Sequence, residues 1–142
     1  MAETTPSRSK YTGSCLCGTV RWTSTTEPNF SGYCCCNSCR KASGSGFVPF
    51  MGFPASSLTI TNTSNLQQYT SLSDSGTPAV RNFCINCGSL IFGGEYAVDD
   101  EHTVYAGTLD DASLFKPKAA IFDSERPEWV ELPEGIKRIP KM

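Results

Sequence analysis

Histidine is nearly missing from this chain: His102 is the only one in 142 residues. Long apolar runs are missing too. None approaches the roughly 20 residues that span a bilayer, so no membrane segment is expected. No basic cluster exceeds the pair Arg40–Lys41, and 12 basic against 14 acidic residues leave a net charge of −2. A phosphate backbone calls for a basic stripe, so the composition points away from nucleic acid. The first ten residues, "MAETTPSRSK", lack the apolar core of a secretory signal. They read as a disordered tail over residues 1–10, and the expected location is cytoplasmic.

Sustained helical periodicity is also absent. Short alternating runs recur instead: "TVRWT" (19–23), "LTITN" (58–62), "QQYTS" (67–71), "AVRNFC" (79–84), "SLIFGG" (89–94) and "TVYAGTL" (103–109). Turn-formers such as "TTEPN", "SDSGTP" and "YAVDDEH" separate them. Short strands at this spacing indicate a mostly β domain. "CNSCRKAS" and "PASSL" each read as one short helical turn. The domain is placed at residues 11–132, followed by an extended C-terminal tail at 133–142.

What the chain does have is sulfur: eight cysteines in three groups. Four disulfides would suit a secreted protein, whereas close pairs in a chain without a signal favour metal. Cys15 and Cys17 form "GSCLCG"; Cys84 and Cys87 form "FCINCGS", a zinc knuckle. Glycine after the second cysteine permits the tight turn that aims backbone N–H groups at the thiolate. Together the two pairs supply four thiolates, enough for a closed tetrahedral zinc. Buried free cysteines or disulfides are the alternative.

The middle group, "GYCCCNSCRK", places Cys34, Cys35, Cys36 and Cys39 within six positions. In extended chain Cys34 and Cys36 share a face and Cys35 points away. A turn through Asn37 and Ser38 returns Cys39 to the first face. Three convergent thiolates with an open position describe a catalytic zinc; recruitment of Cys35 would instead close the site. Three thiolates leave a zinc site with net charge −1 and make the metal a weaker Lewis acid than three imidazoles would. Such a centre suits exchange of another sulfur ligand better than hydrolysis.

These groups, with "AGTLDD" and "IFDSERPEW", resemble the glutathione-dependent formaldehyde-activating enzyme family, which includes the centromere-protein-V-like proteins. The resemblance runs from Gly13 to Trp129. It implies a β-tent fold, small antiparallel sheets pinned by zinc. It implies two zinc ions per chain: a structural one on Cys15, Cys17, Cys84 and Cys87, and a more labile catalytic one on Cys34, Cys36 and Cys39. It implies a carbon–sulfur lyase that joins formaldehyde to glutathione, giving S-(hydroxymethyl)glutathione. The chain departs from the family where histidine is frequent: Cys35 lies between the first two ligands of the second site, and Ala120 precedes "IF". A lost proton-transfer group would slow the formaldehyde reaction. The expected function is therefore a zinc-dependent carbon–sulfur lyase acting on a small thiol adduct, with glutathione as a candidate substrate. The rivals are a lyase or isomerase of another small metabolite and a non-catalytic zinc-binding module.

Other residues complete the reading. Cys35 is a candidate reactive thiol, lowered by neighbouring positive charge, and otherwise a buried inert one. Arg40 is a candidate anchor for a glutathione carboxylate, and otherwise half of a solvated pair. Phe47, Phe50, Phe53, Phe83 and Phe92 are expected in the core. Asp110 and Asp111 are expected to cap backbone N–H groups in a turn. His102 is expected at the surface of an acidic turn.

Overall fold

The computed structural model describes residues 10–73 and 76–141. Of the tail read over residues 1–10, only Lys10 lies among them. Among the described residues, eleven strands and one short helix follow one another. They are β1 (Tyr11–Ser14), β2 (Arg21–Ser24), β3 (Phe30–Cys34), α1 (Asn37–Ser43), β4 (Val48–Pro54), β5 (Leu58–Thr61) and β6 (Leu66–Leu72). After these come β7 (Pro78–Cys84), β8 (Leu90–Gly93), β9 (Glu101–Tyr105), β10 (Ala119–Ile121) and β11 (Lys137–Arg138). Short 3₁₀ turns fill several connections, including Ala55–Ser57 within the "PASSL" stretch.

The strands form two sheets. The smaller has the order β1-β2-β5 and is antiparallel throughout. The larger has the order β11-β10-β3-β4-β9-β8-β7-β6. It is antiparallel except at one end, where β10 runs parallel to both β3 and β11. The segment from Pro133 onward thus supplies the edge strand β11. Arg138 also reaches the Asp123 carboxylate, which Arg126 shares.

The main core lies between the sheets. Tyr11 and Trp22 come from the small sheet; Met51, Phe53, Ile91, Phe92 and Val104 come from the large one. The rings of Tyr11 and Trp22 both stand 5.8 Å from that of Phe53. Of the five phenylalanines expected inside, Phe50, Phe53 and Phe92 are buried, and Phe47 and Phe83 are half-buried. A second cluster of Cys35, Ala120, Val130 and Leu132 fills the end of the large sheet near β10.

His102 is not at the surface. It is 3% exposed, in β9, because period-2 alternation turns it inward beside Val104. Its ring lies 4.9 Å from that of Phe92, and its Nδ1 faces the Gly93 carbonyl at 3.3 Å. Neither sulfur group includes it.

Candidate metal centres

The first sulfur group joins the loop between β1 and β2 to the end of β7. Gly18 and Gly88 hold positive φ angles of 80° and 79°, a conformation glycine enters without strain. Each closes its turn by an N–H bond back to the carbonyl of Cys15 or Cys84. The four sulfurs of Cys15, Cys17, Cys84 and Cys87 lie within 4.8 Å of one another. Four sulfurs each about 2.3 Å from a shared zinc stand about 3.8 Å apart. Cys17 Sγ lies 3.6 Å from Cys15 Sγ and 3.8 Å from Cys84 Sγ, so the spacing fits. A disulfide would need about 2.05 Å, and all eight cysteines are free.

Around these sulfurs stand donors suited to thiolates. The Val20 N–H points at Cys15 Sγ, and the Asn86 amide lies near Cys17 Sγ. The Ser89 hydroxyl, with backbone N–H groups of Cys17 and Ser89, brings the Cys87 thiol down to about 5. Burial pushes Cys84 up to about 11. A buried sulfur of this kind ionises when a metal compensates its charge, releasing the proton.

The second group is built on the junction of β3 and α1. Cys34 ends the strand, and Cys36 is the helix N-cap, its sulfur accepting from the Cys39 N–H at 3.3 Å. Gly44 caps the other end in the left-handed region with an N–H bond to the Arg40 carbonyl. Strand and helix together bring the sulfurs of Cys34, Cys36 and Cys39 within 4.8 Å of one another. Hydrogen bonds from Cys34 and Cys39 lower the Cys36 thiol to about 2. The Cys34 thiol is raised by its bonds to Cys36 and Cys39 and by burial. Both sulfur groups could therefore bind zinc: one with four sulfurs, one with three.

The three-sulfur group borders open space. Cys34 and Cys39 share a cavity of about 310 Å³ with Val48, Phe50, Arg81, Tyr105 and Ile121. Cys36 and Cys39 border a larger hollow that also meets Arg81, Glu125 and Lys141. Arg81 is 8% exposed and donates to Cys39 Sγ at 3.7 Å and to Ser71 Oγ at 3.3 Å. Burial, with the nearby Cys39 charge, pushes the Tyr105 phenol up to about 12.

Sequence reasoning missed Arg81 and Tyr105. Both lie in strands far along the chain from the cysteines they face. The signal for Arg81 was a charged residue amid the apolar run "AVRNFC".

The structure does not bring Cys35 or Arg40 to this cavity. Cys35 has no exposed surface and faces away from Cys34, as strand alternation requires. Burial first, then the Asp123 carboxylate, raises its thiol. Ala120, also fully buried, belongs to the same apolar cluster. Arg40 sits on α1, where it bonds Asn37. Asp111 caps the Ser113 N–H, while Asp110 accepts from Thr12 and Arg21 at 2.8 and 3.0 Å.

No helix among the described residues is long and apolar enough to cross a membrane. No curated protein matches the sequence at a significant level. A solved structure of a Rhodobacter sphaeroides protein is similar in fold, with a TM-score of 0.50 and 23% identity. The similarity covers 70% of this chain and 87% of that one. The family model described as glutathione-dependent formaldehyde-activating enzyme matches residues 10–125, and both sulfur groups lie inside that match. This chain belongs to the glutathione-dependent formaldehyde-activating enzyme family.

Proposed function

We propose that the protein is a zinc-dependent carbon–sulfur lyase-type enzyme that makes or breaks a small thiol adduct, with glutathione and formaldehyde as the first pair to consider. One observation carries this reading. One sulfur group has four ligand atoms, while the other has three and opens on a cavity with a buried cation. A closed four-sulfur site holds a fold together; a three-sulfur site leaves a position for a reactant. When bound at Cys34, Cys36 and Cys39, zinc would supply a thiophilic, weakly Lewis-acidic centre at the cavity.

The chain's own residues supply the rest. Arg81, donating to Cys39, places a fixed positive charge where an anionic thiol enters. Val48, Phe50 and Ile121 keep the reacting end in apolar surroundings. The hollow beside Cys36 carries Arg81, Lys141 and Glu125. These suit the carboxylates and the ammonium of a glutathione-like thiol. The Arg40 role in carboxylate binding passes to these residues.

The test is adduct formation by zinc-loaded protein with glutathione and formaldehyde. S-(hydroxymethyl)glutathione should form faster than the spontaneous background, and Cys36→Ser should remove the excess rate. A wild-type rate equal to background, with two zinc ions bound per chain, would overturn the proposal.

A further inference from the structure

Tyr105 ends strand β9, and its ring forms part of the wall shared by Cys34, Cys39 and Arg81. Most of that wall is apolar. Its polar side chains are already engaged, with two exceptions. Asp99 accepts from the Glu95 N–H, and Arg81 donates to Ser71 and Cys39. One is Thr103; the other is Tyr105, whose phenol oxygen the Arg81 guanidinium approaches as a donor but whose own proton is not taken up. Among the described residues, no carbonyl or side chain accepts the Tyr105 hydroxyl proton. Tyr105 is half-buried, and a phenol lodged against protein ordinarily finds a hydrogen-bond partner. Here the acceptor position faces the cavity that Cys34 and Cys39 border.

Resting on the function proposed above, we propose that Tyr105 is the proton donor of this site: as the carbon–sulfur bond forms, its phenol gives its proton to the aldehyde oxygen. The sulfur lone pair makes the new bond. The carbonyl π pair moves to oxygen, which takes the phenol proton. The proton released when the thiol ionised returns through solvent to the phenolate. The sum is thiol plus aldehyde giving a hydroxyalkyl thioether, and cleavage runs the same steps backwards. A phenol with its ordinary value of about 10 is protonated at neutral pH, so the acid is loaded when the substrate arrives.

The test uses zinc-loaded full-length protein and two stable analogues, S-(2-hydroxyethyl)glutathione and the isosteric S-propylglutathione. Wild-type protein should bind the hydroxyl analogue about 5-fold more tightly, as one added hydrogen bond allows. Tyr105→Phe should bring the two affinities within twofold, while Thr103→Val should keep the preference. In turnover, Tyr105→Phe should lower kcat about 100-fold and leave glutathione affinity within twofold. A preference that survives Tyr105→Phe, or a kcat within twofold of wild type, would overturn the assignment. Equal wild-type affinities for the two analogues would also overturn it and leave the proposed function standing. Binding of neither analogue would overturn both.

Discussion

Cys35 lies between two candidate ligands in sequence, yet its sulfur packs with Ala120, Val130 and Leu132. A thiol without exposed surface is a small hydrophobe rather than a nucleophile. The family frequently has histidine at the positions of Cys35 and Ala120, and here the two positions meet in one dry cluster. Neither faces the sulfur cavity, so these departures remove no acid or base from it. Cys35→Ser should place a hydroxyl in that cluster and destabilise the protein by about 1–3 kcal/mol. Zinc content should stay at two per chain, and turnover should fall no more than the folded fraction does. Denaturant titration of the zinc-loaded variant, beside elemental analysis, checks this. A stable variant with lost turnover would restore Cys35 to the chemistry. Alternation alone was enough to set Cys35 apart from Cys34 and Cys36 in the sequence. Its burial was not legible, because Ala120, Val130 and Leu132 come from distant segments.

At the scale of elements, Gly13 of β1 packs directly against the turn that follows β9. A bridge joins Gly13 to Leu109, and Trp22 Nε1 donates to Thr108 Oγ1 at 2.9 Å beside it. A methyl group at Gly13 would overlap the Thr108 carbonyl and come 2.5 Å from Trp22 Nε1. Gly13→Ala should therefore cost about 1–3 kcal/mol, as overpacking does. Gly107→Ala, where nothing lies within 4 Å of the added carbon, should change stability by less than about 0.5 kcal/mol. Equal effects in thermal unfolding would show that the turn after β9 yields at Gly13. The strands themselves were unevenly legible. Six alternating runs mark β2 and β5 to β9, and burial itself alternates along β2, β5 and β9. The "PFMGFP" of β4 gives no such signal. It is a central strand with five of its seven residues buried, and two-sided burial erases alternation. Strands β10 and β11 are too short to show any period.

At the scale of the whole molecule, β7 links the two sulfur groups. Cys84 ends the strand as a member of the four-sulfur group, and three residues earlier Arg81 donates to Cys39 of the three-sulfur group. The coupling is one-sided. The four-sulfur group ties the β1–β2 loop to the end of β7, the strand that presents Arg81. The three-sulfur group lies within one local segment, Cys34 to Cys39, and crosslinks little. A metal that joins distant segments contributes directly to folding, whereas one bound by a local turn contributes less. Graded chelator treatment should therefore remove one zinc per chain with the far-ultraviolet signal intact, and the second only with unfolding. Cys36→Ser should reproduce the first state: one zinc, folded, inactive. Cys84→Ser should reproduce the second, and it should also lose zinc from Cys34, Cys36 and Cys39 although those residues are untouched. Metal analysis with circular dichroism on each variant gives the readout. If Cys84→Ser keeps one zinc on a folded chain, the two centres are independent, and β7 carries no coupling between them.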